Sequence, residues 1–180
     1  MASTTFGIPR SLNSLSSPVD LIQHIPRLRR YARALVRDAA RADDLVQDTL
    51  ERALAKLDLW RPGSDLRAWL FTLMHNLFVN QLRASGGHTL CELDEANDVA
   101  VSGGQTEALV VRDIQAALAQ LPAEQREVML LVGLEQFAYA DAARILGVPQ
   151  GTVMSRLSRA RERMRELLEG HQATKLQVVK

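Results

Sequence analysis

The chain has 180 residues, of which 47% are hydrophobic and 4% aromatic, and its formal net charge is +1. This length suits one compact domain or two small ones, and the apolar content excludes wholesale disorder. The abundance of Ala, Leu, Arg, Glu and Gln favours an all-α fold. One cysteine excludes an internal disulfide, and no stretch reaches the ~20 apolar residues that span a bilayer. We therefore expect a cytoplasmic protein without membrane insertion or a secretory signal.

The N-terminal part of the chain predicts a tail followed by a three-helix domain. Residues 1–19 are rich in Ser and Thr and show no helical period, which predicts a flexible tail. Within residues 20–83, apolar side chains recur at spacings of three and four, which predicts three helices. Asp38 offers a cap for the second helix and Ser64 or Asp65 for the third, whereas Pro26 lies inside the first segment, which begins at Leu21, and is expected to kink the helix or restart it.

The helical period disappears in residues 84–106, which predict a linker. Glycine pairs bracket this segment, and from residue 84 to residue 107 there are five acidic residues and no Lys or Arg. Residues 107–170 regain the period and predict a second helical domain, followed by a tail at residues 171–180. The predicted fold is therefore all-α: two small helical domains joined by a flexible acidic linker, with a helix-turn-helix in the C-terminal domain.

The helix-turn-helix is predicted within residues 139–161. Ala142 and Ala143 allow two helices to approach closely, and Gly147 stands where a left-handed turn residue is needed. The second helix of such a unit enters the DNA major groove, where arginine reads guanine. The polar residues predicted to meet DNA are Thr152, Ser155, Arg156, Ser158, Arg159 and Arg161. Ion pairing with nearby glutamates on a solvated face is the alternative for these arginines, and applies with more force to Arg163 and Arg165.

Two segments of this domain resemble a known family. Residues 151–161, GTVMSRLSRAR, and residues 121–128, LPAEQREV, are similar to region 4 of sigma-70-family factors of the extracytoplasmic-function (ECF) group. The resemblance implies binding to the upstream (minus-35) promoter element and to the β flap of RNA polymerase. Met154 departs from the family pattern, because a basic residue is common at this position.

A row of acidic and amide side chains on the second helix carries a further resemblance. Its positions follow the spacing i, i+4, i+7, so they share one face, which in an arbitrary helix is most often a solvated surface. The sequence of residues 43–50, DDLVQDTL, resembles region 2.2 of the ECF group. This resemblance implies docking on the clamp helices of the polymerase β′ subunit through Asp43, Asp44, Gln47, Asp48 and Glu51.

The third helix combines a polar face with aromatic residues, a combination suited to single-stranded DNA. Trp69 is expected in the core, whereas Phe71 and His75 are left open between core and DNA contact. Residues 66–76, LRAWLFTLMHN, resemble ECF regions 2.3 and 2.4, in which the preceding loop and an asparagine capture a flipped base. The resemblance implies contacts to the downstream (minus-10) element by Trp60, Arg61, Ser64, Asp65, Thr72, Asn76, Asn80 and Arg83.

The sequence therefore predicts an alternative sigma factor that binds core polymerase and promoter DNA. The resemblance also implies an anti-sigma factor as a partner. A stand-alone helix-turn-helix regulator and a sigma-like mimic that binds only an anti-sigma factor are the alternatives. No catalysis, cofactor or metal is expected, because the four histidines lack metal-ligand spacing and Cys91 has no adjacent partner motif.

Overall fold

The computed structural model describes residues 21–36, 38–61, 63–84 and 105–177, and these residues form helices and turns without a strand. The all-α prediction is confirmed. Seven α-helices follow in chain order: α1 (Ile25–Val36), α2 (Ala39–Ala55), α3 (Leu66–Ala84), α4 (Gln105–Ala119), α5 (Ala123–Met129), α6 (Tyr139–Leu146) and α7 (Gln150–Gln177). The predicted tail 1–19, most of the predicted linker and Cys91 lie outside the described residues.

Local chemistry explains where the first three helices begin. A short turn precedes α1, which begins at Ile25 with Pro26 in its first turn, where the missing N–H removes no helical hydrogen bond. The Asp38 carboxylate accepts a 2.8 Å hydrogen bond from the Arg41 backbone N–H and caps α2. At α3 the cap is Asp65, whose carboxylate accepts from the Ala68 N–H at 3.1 Å.

The helices of the C-terminal part extend further than the sequence pattern indicates. Gln105 begins α4 within the predicted linker, and α7 continues to Gln177 through most of the segment predicted as a tail. A π-helical turn, Leu130–Leu134, follows α5 directly. Gly147 has φ +64° and ends α6 in the left-handed conformation, as predicted for the helix-turn-helix.

The helices form two modules that pack against each other. The N-terminal module comprises α1 to α3, and the C-terminal module comprises α4 to α7. Helix α3 packs on α6, and the π-helical turn packs on α1. Phe71 joins the two cores, because its ring contacts Tyr31 at 5.1 Å and Phe137 of the C-terminal module at 5.2 Å, both edge-on.

Candidate functional site

The side chains predicted to bind polymerase all lie on the exposed face of α2: Asp43, Asp44, Gln47, Asp48 and Glu51. The opposite face of the helix is apolar and buried against α1 and α3 through side chains that include Leu45 and Val46. Burial of that face sets the rotation of the helix and points the acidic row to solvent. Contact with another protein would therefore not disturb the core.

The carboxylates of this row differ in their surroundings. Asp43 lies 3.6 Å from Arg29 and 3.7 Å from Arg33, both on α1. Asp44 and Asp48 form no ion pair with any residue that the structure describes. The arginines of α1 thus compensate the negative charge of the acidic row at its Asp43 end.

The predicted base-capture loop is anchored at both ends. Trp60 is 9% exposed, and its buried indole N–H has no hydrogen-bond partner among the described residues. The Ser64 hydroxyl donates to the Arg61 carbonyl oxygen at 2.7 Å, and both side chains are exposed. Because the Asp65 carboxylate caps α3, this residue already has a structural role.

On α3, the polar residues predicted to meet minus-10 DNA are not equally accessible. Asn76, Asn80 and Arg83 are exposed. Thr72 is half-buried, and its hydroxyl donates to the Ala68 carbonyl oxygen at 2.8 Å. The amide groups of this face are thus available to DNA, whereas the Thr72 hydroxyl is already bonded within the helix.

Phe71 and His75, which the sequence left open, both face the C-terminal module. Phe71 is 1% exposed and belongs to the core. The Nδ1 atom of His75 lies 2.6 Å from a carboxylate oxygen of Glu127 on α5. In this arrangement neither ring offers a stacking surface to a single strand.

In the helix-turn-helix, α7 buries one face and exposes the other. Val153, Leu157 and Ala160 are buried against the rest of the module. Thr152 is half-buried, whereas the other predicted DNA contacts apart from Arg156 lie exposed: Ser155, Ser158, Arg159 and Arg161. The turn at Gly147 aims the first turns of α7 outward, which suits entry into a major groove.

Among the predicted DNA contacts on α7, Arg156 forms an ion pair with another residue of the chain. Its guanidinium lies 2.6 Å from the Glu124 carboxylate on α5, and its side chain is 22% exposed. The Glu124 side chain is 68% exposed, so water can replace its contact with Arg156 at little cost in free energy. Arg156 can therefore exchange this ion pair for a phosphate or a base.

Sequence reasoning missed three buried charged residues at the contact between the modules, Arg126, Glu127 and Glu135. Arg126 of α5 is 3% exposed, and its guanidinium donates to four carbonyl oxygens, those of Leu118, Ala119 and Leu121 and, across the modules, of Leu35 at 2.8 Å. Glu135 follows the π-helical turn and is 1% exposed. No sequence signal marks them as buried, because each looks like a charged residue in a mixed-charge segment.

The carboxylates at this contact affect two neighbouring groups. Burial raises the pKa of the Tyr31 phenol well above its ordinary value, and the charges of Glu127 and Glu135 raise it further. Burial lowers the pKa of Arg67. The charge of Glu135 raises this pKa and offsets part of the lowering. The contact between the modules therefore holds charged groups in surroundings poor in water.

The described residues hold no group of three or more His, Cys, Asp or Glu side chains that could bind a metal ion. Within the same part of the chain, no helix is both long and apolar enough to cross a membrane. The chemistry of these surfaces is thus that of charge, amide and guanidinium groups.

Comparison with known proteins identifies the family to which both modules are similar. Residues 21–75 match the family model described as the Sigma2 domain of PhyR, and residues 112–164 match Sigma-70, region 4. The ECF RNA polymerase sigma factor EcfG of Rhodopseudomonas palustris is 43% identical over 157 residues, covering 83% of each chain.

Two solved structures are similar over most of their length. The sigma factor RpoE of Bartonella quintana, in complex with the anti-sigma factor NepR, is 41% identical with a TM-score of 0.71, covering 84% of this chain and 95% of that one. The PhyRSL–NepR complex of Sphingomonas sp. Fr1 is 27% identical with a TM-score of 0.64, covering 85% and 89%. Identity is thus higher to the sigma factors than to PhyR.

Proposed function

This chain belongs to the ECF group of the sigma-70 family, and we propose that it recruits core polymerase with its N-terminal module and promoter DNA with both modules. It is an alternative sigma factor, one of a class of transcription-initiation factors, and we assign it no enzymatic activity of its own. The observation that carries the proposal is that one chain exposes an acidic helix face on α2 and a polar, basic helix face on α7.

Polymerase docking is assigned to α2. Asp44, Gln47 and Asp48 project from one face, and that face is free of packing within the described chain. Electrostatic complementarity would bring this acidic row to basic groups on the β′ clamp helices and set the orientation of the complex. Asp43 and Glu51 extend the same surface, and the C-terminal module would contact the β flap.

Recognition of the melted minus-10 element is assigned to α3 and the loop before it. The amides of Asn76 and Asn80 can donate and accept hydrogen bonds with the edge of an extruded base. Arg61 and Ser64 in the loop and Arg83 near the helix end are exposed and can contact the backbone of the strand. Trp60, Asp65 and Thr72 would support the shape of this pocket.

Recognition of the minus-35 duplex is assigned to α7. Ser155, Ser158 and Arg159 lie on its exposed face within reach of base edges in the major groove. Thr152, Arg156 and Arg161 flank this face and suit phosphate oxygens, which add affinity without sequence preference. The near-zero net charge fits a factor that binds DNA weakly alone and gains affinity within holoenzyme.

An anti-sigma factor is a further proposed partner. The structure of RpoE, 41% identical to this chain, was solved in complex with NepR, and the PhyRSL structure contains NepR as well. A similar protein would hold the two modules together and keep polymerase away. We also place the protein in the cytoplasm, where polymerase and promoter DNA are found.

In vitro transcription with purified core polymerase tests the proposal. The full chain and core, mixed with sheared genomic DNA, should start RNA at discrete sites that core alone does not use. A band-shift assay on a mapped promoter then separates the alternatives. A shift that needs core supports a sigma factor, a shift with the chain alone indicates a stand-alone regulator, and no shift in either setting indicates a mimic.

A further inference from the structure

Three arginines of the N-terminal module converge on one buried carboxylate of the C-terminal module. The Glu135 side chain has no exposed surface. Arg30 lies 2.7 Å from one of its oxygens, while Arg67 and Arg27 lie 3.7 and 3.9 Å from the other. Arg67 also donates to the backbone carbonyl oxygen of Glu135, and its guanidinium lies 3.9 Å from the centre of the Phe137 ring. The site thus binds an anionic group with two oxygens.

This cluster has more positive than negative charge. Three guanidinium groups face a single carboxylate, and within the described part of the chain Asp65, which caps α3, is the other acidic group that influences Arg67. The side chains of Arg27 and Arg30 are 51% and 53% exposed, so the cluster is open to solvent on one side. When the Glu135 carboxylate moves out of the cluster, the three guanidinium groups remain close together.

Two buried polar atoms at this contact lack hydrogen-bond partners among the described residues. They are Nε of Arg67 and Oε2 of Glu135. Permanent protein cores satisfy nearly all such atoms, because a buried donor or acceptor without a partner is costly. The contact therefore leaves hydrogen-bonding capacity on both Arg67 and Glu135 unused.

We propose that Arg27, Arg30 and Arg67 form a site for a phosphodiester of promoter DNA, which Glu135 occupies while the two modules are packed together. The inference rests on the proposed function, because the modules must separate before DNA can reach this site. A phosphodiester resembles a carboxylate in carrying one negative charge over two acceptor oxygens, and guanidinium groups bind both. Glu135 thus acts as an internal substitute for the DNA backbone.

The position of the site favours the melted strand over an acidic protein. Arg67 lies in the first turn of α3, directly after the loop assigned to base capture. The exposed amides of Asn76 and Asn80 lie further along the same helix, about half a turn round from Arg67. A strand whose base is held by that loop would bring an adjacent phosphate to the start of α3. The polymerase contact, by contrast, is assigned to the acidic face of α2.

Salt dependence of DNA binding by holoenzyme tests the site. The probe is fluorescein-labelled fork DNA, with the minus-10 element already single-stranded, titrated in increasing KCl. Removing one phosphate contact to a single strand should lower the slope of log affinity against log salt by about 0.7. Because all three arginines face one phosphate, the double variant Arg30→Ala and Arg67→Ala should lower it by up to this amount, and each single variant by part of it.

Arg29→Ala is the matched control, because Arg29 lies on the same helix as Arg30 and pairs with Asp43. Its slope should match that of the wild type. If Arg67→Ala impairs folding, the half-exposed Arg30 allows the test with one substitution. Unchanged slopes in a holoenzyme that still transcribes would overturn the site while leaving the proposed function intact. Unchanged slopes with weakened core binding would overturn it in favour of an acidic protein ligand.

The occupancy by Glu135 is tested in the free chain. Glu135→Gln keeps the shape of the side chain and removes its charge, so it should raise affinity for the fork DNA several-fold and increase the radius of gyration in solution scattering. Glu166→Gln, an exposed carboxylate paired with Arg163, is the control and should leave the radius unchanged. An expanded Glu135→Gln chain whose DNA affinity does not exceed that of Glu166→Gln would contradict the proposal.

Discussion

The acidic face of α2 and the surfaces proposed to bind DNA differ in whether their charged groups already have partners within the chain. On α2, Asp44 and Asp48 form no ion pair with a described residue. On the DNA side, Arg156 pairs with Glu124, His75 contacts Glu127, and Arg67 contacts Glu135. The proposed polymerase surface is therefore open at these two residues, whereas these three groups at or beside the proposed DNA surfaces are held by internal partners. This difference supports an order in which polymerase binds first and DNA second.

Reversing charge on the acidic face should have the largest effect. Asp44→Lys combined with Asp48→Lys places positive charge against a basic surface, where like charges cost several kcal/mol, so core binding should weaken ~100-fold or more. Fluorescence anisotropy with labelled core polymerase measures the affinity. Asp58→Lys, an exposed acid outside this face, is the control. Equal binding by the double variant and the control would remove α2 from the polymerase contact.

The second largest effect is expected on stability, when Arg126, the buried arginine of α5, is replaced. Arg126→Met leaves carbonyl oxygens of both modules without a donor, and we expect the free energy of unfolding to fall by ~3 kcal/mol or more. Urea denaturation measures the change. Arg144→Met is the control, because Arg144 is exposed and its ion pair is a local one with Asp141 three residues earlier; it should change stability by less than ~0.5 kcal/mol. Similar losses in both would contradict a special role for Arg126.

Arg159 tests whether the exposed face of α7 reads sequence. Arg159→Ala should reduce discrimination at one base pair of the minus-35 element by ~1–3 kcal/mol, because a bidentate contact to guanine is lost. Binding of holoenzyme to every single-base variant of the element measures this. Arg163→Ala is the control, since Arg163 pairs with Glu166 further along the helix. An equal loss on all DNA variants would make Arg159 a phosphate contact.

The smallest effect is expected on the affinity for duplex DNA, when the ion pair between Arg156 and Glu124 is removed. Glu124→Gln releases the guanidinium and should raise duplex affinity by ~1 kcal/mol at most, since exposed pairs are worth little. The slope of log affinity against log salt should steepen by up to ~0.9 if Arg156 then contacts a phosphate. Glu169→Gln, which removes the same charge at the far end of α7, corrects for net charge. Matching results for these two variants would show that Glu124 does not restrain Arg156.

Local features were predictable because they depend on neighbours in the sequence. Asp38 and Gly147 were predicted as helix-start and turn residues, and the structure confirms both, since a cap or a left-handed residue acts within a few positions. The exposure of the acidic row on α2 also follows from spacing, because the apolar stripe of the same helix must be buried. The roles of these exposed residues in binding remain predictions.

The packing of the modules was not predictable in this way. Glu135, Arg126 and His75 look like ordinary polar residues in the sequence, and each has at least one partner more than fifty positions away. Their burial depends on α6 meeting α3 and on the π-helical turn meeting α1. Charge pattern alone could not indicate that one carboxylate would face three arginines.

The sequence alone determined the helical class, the Asp38 cap, the helix-turn-helix and the family, since these depend on residue type at short spacing. Only the tertiary structure decided which charged groups are buried and which remain open to partners. The physical reason is that desolvation and ion pairing act between side chains brought together by packing, whatever their separation along the chain. For this protein, that distinction separates an exposed acidic helix face from basic groups held by the chain's own carboxylates.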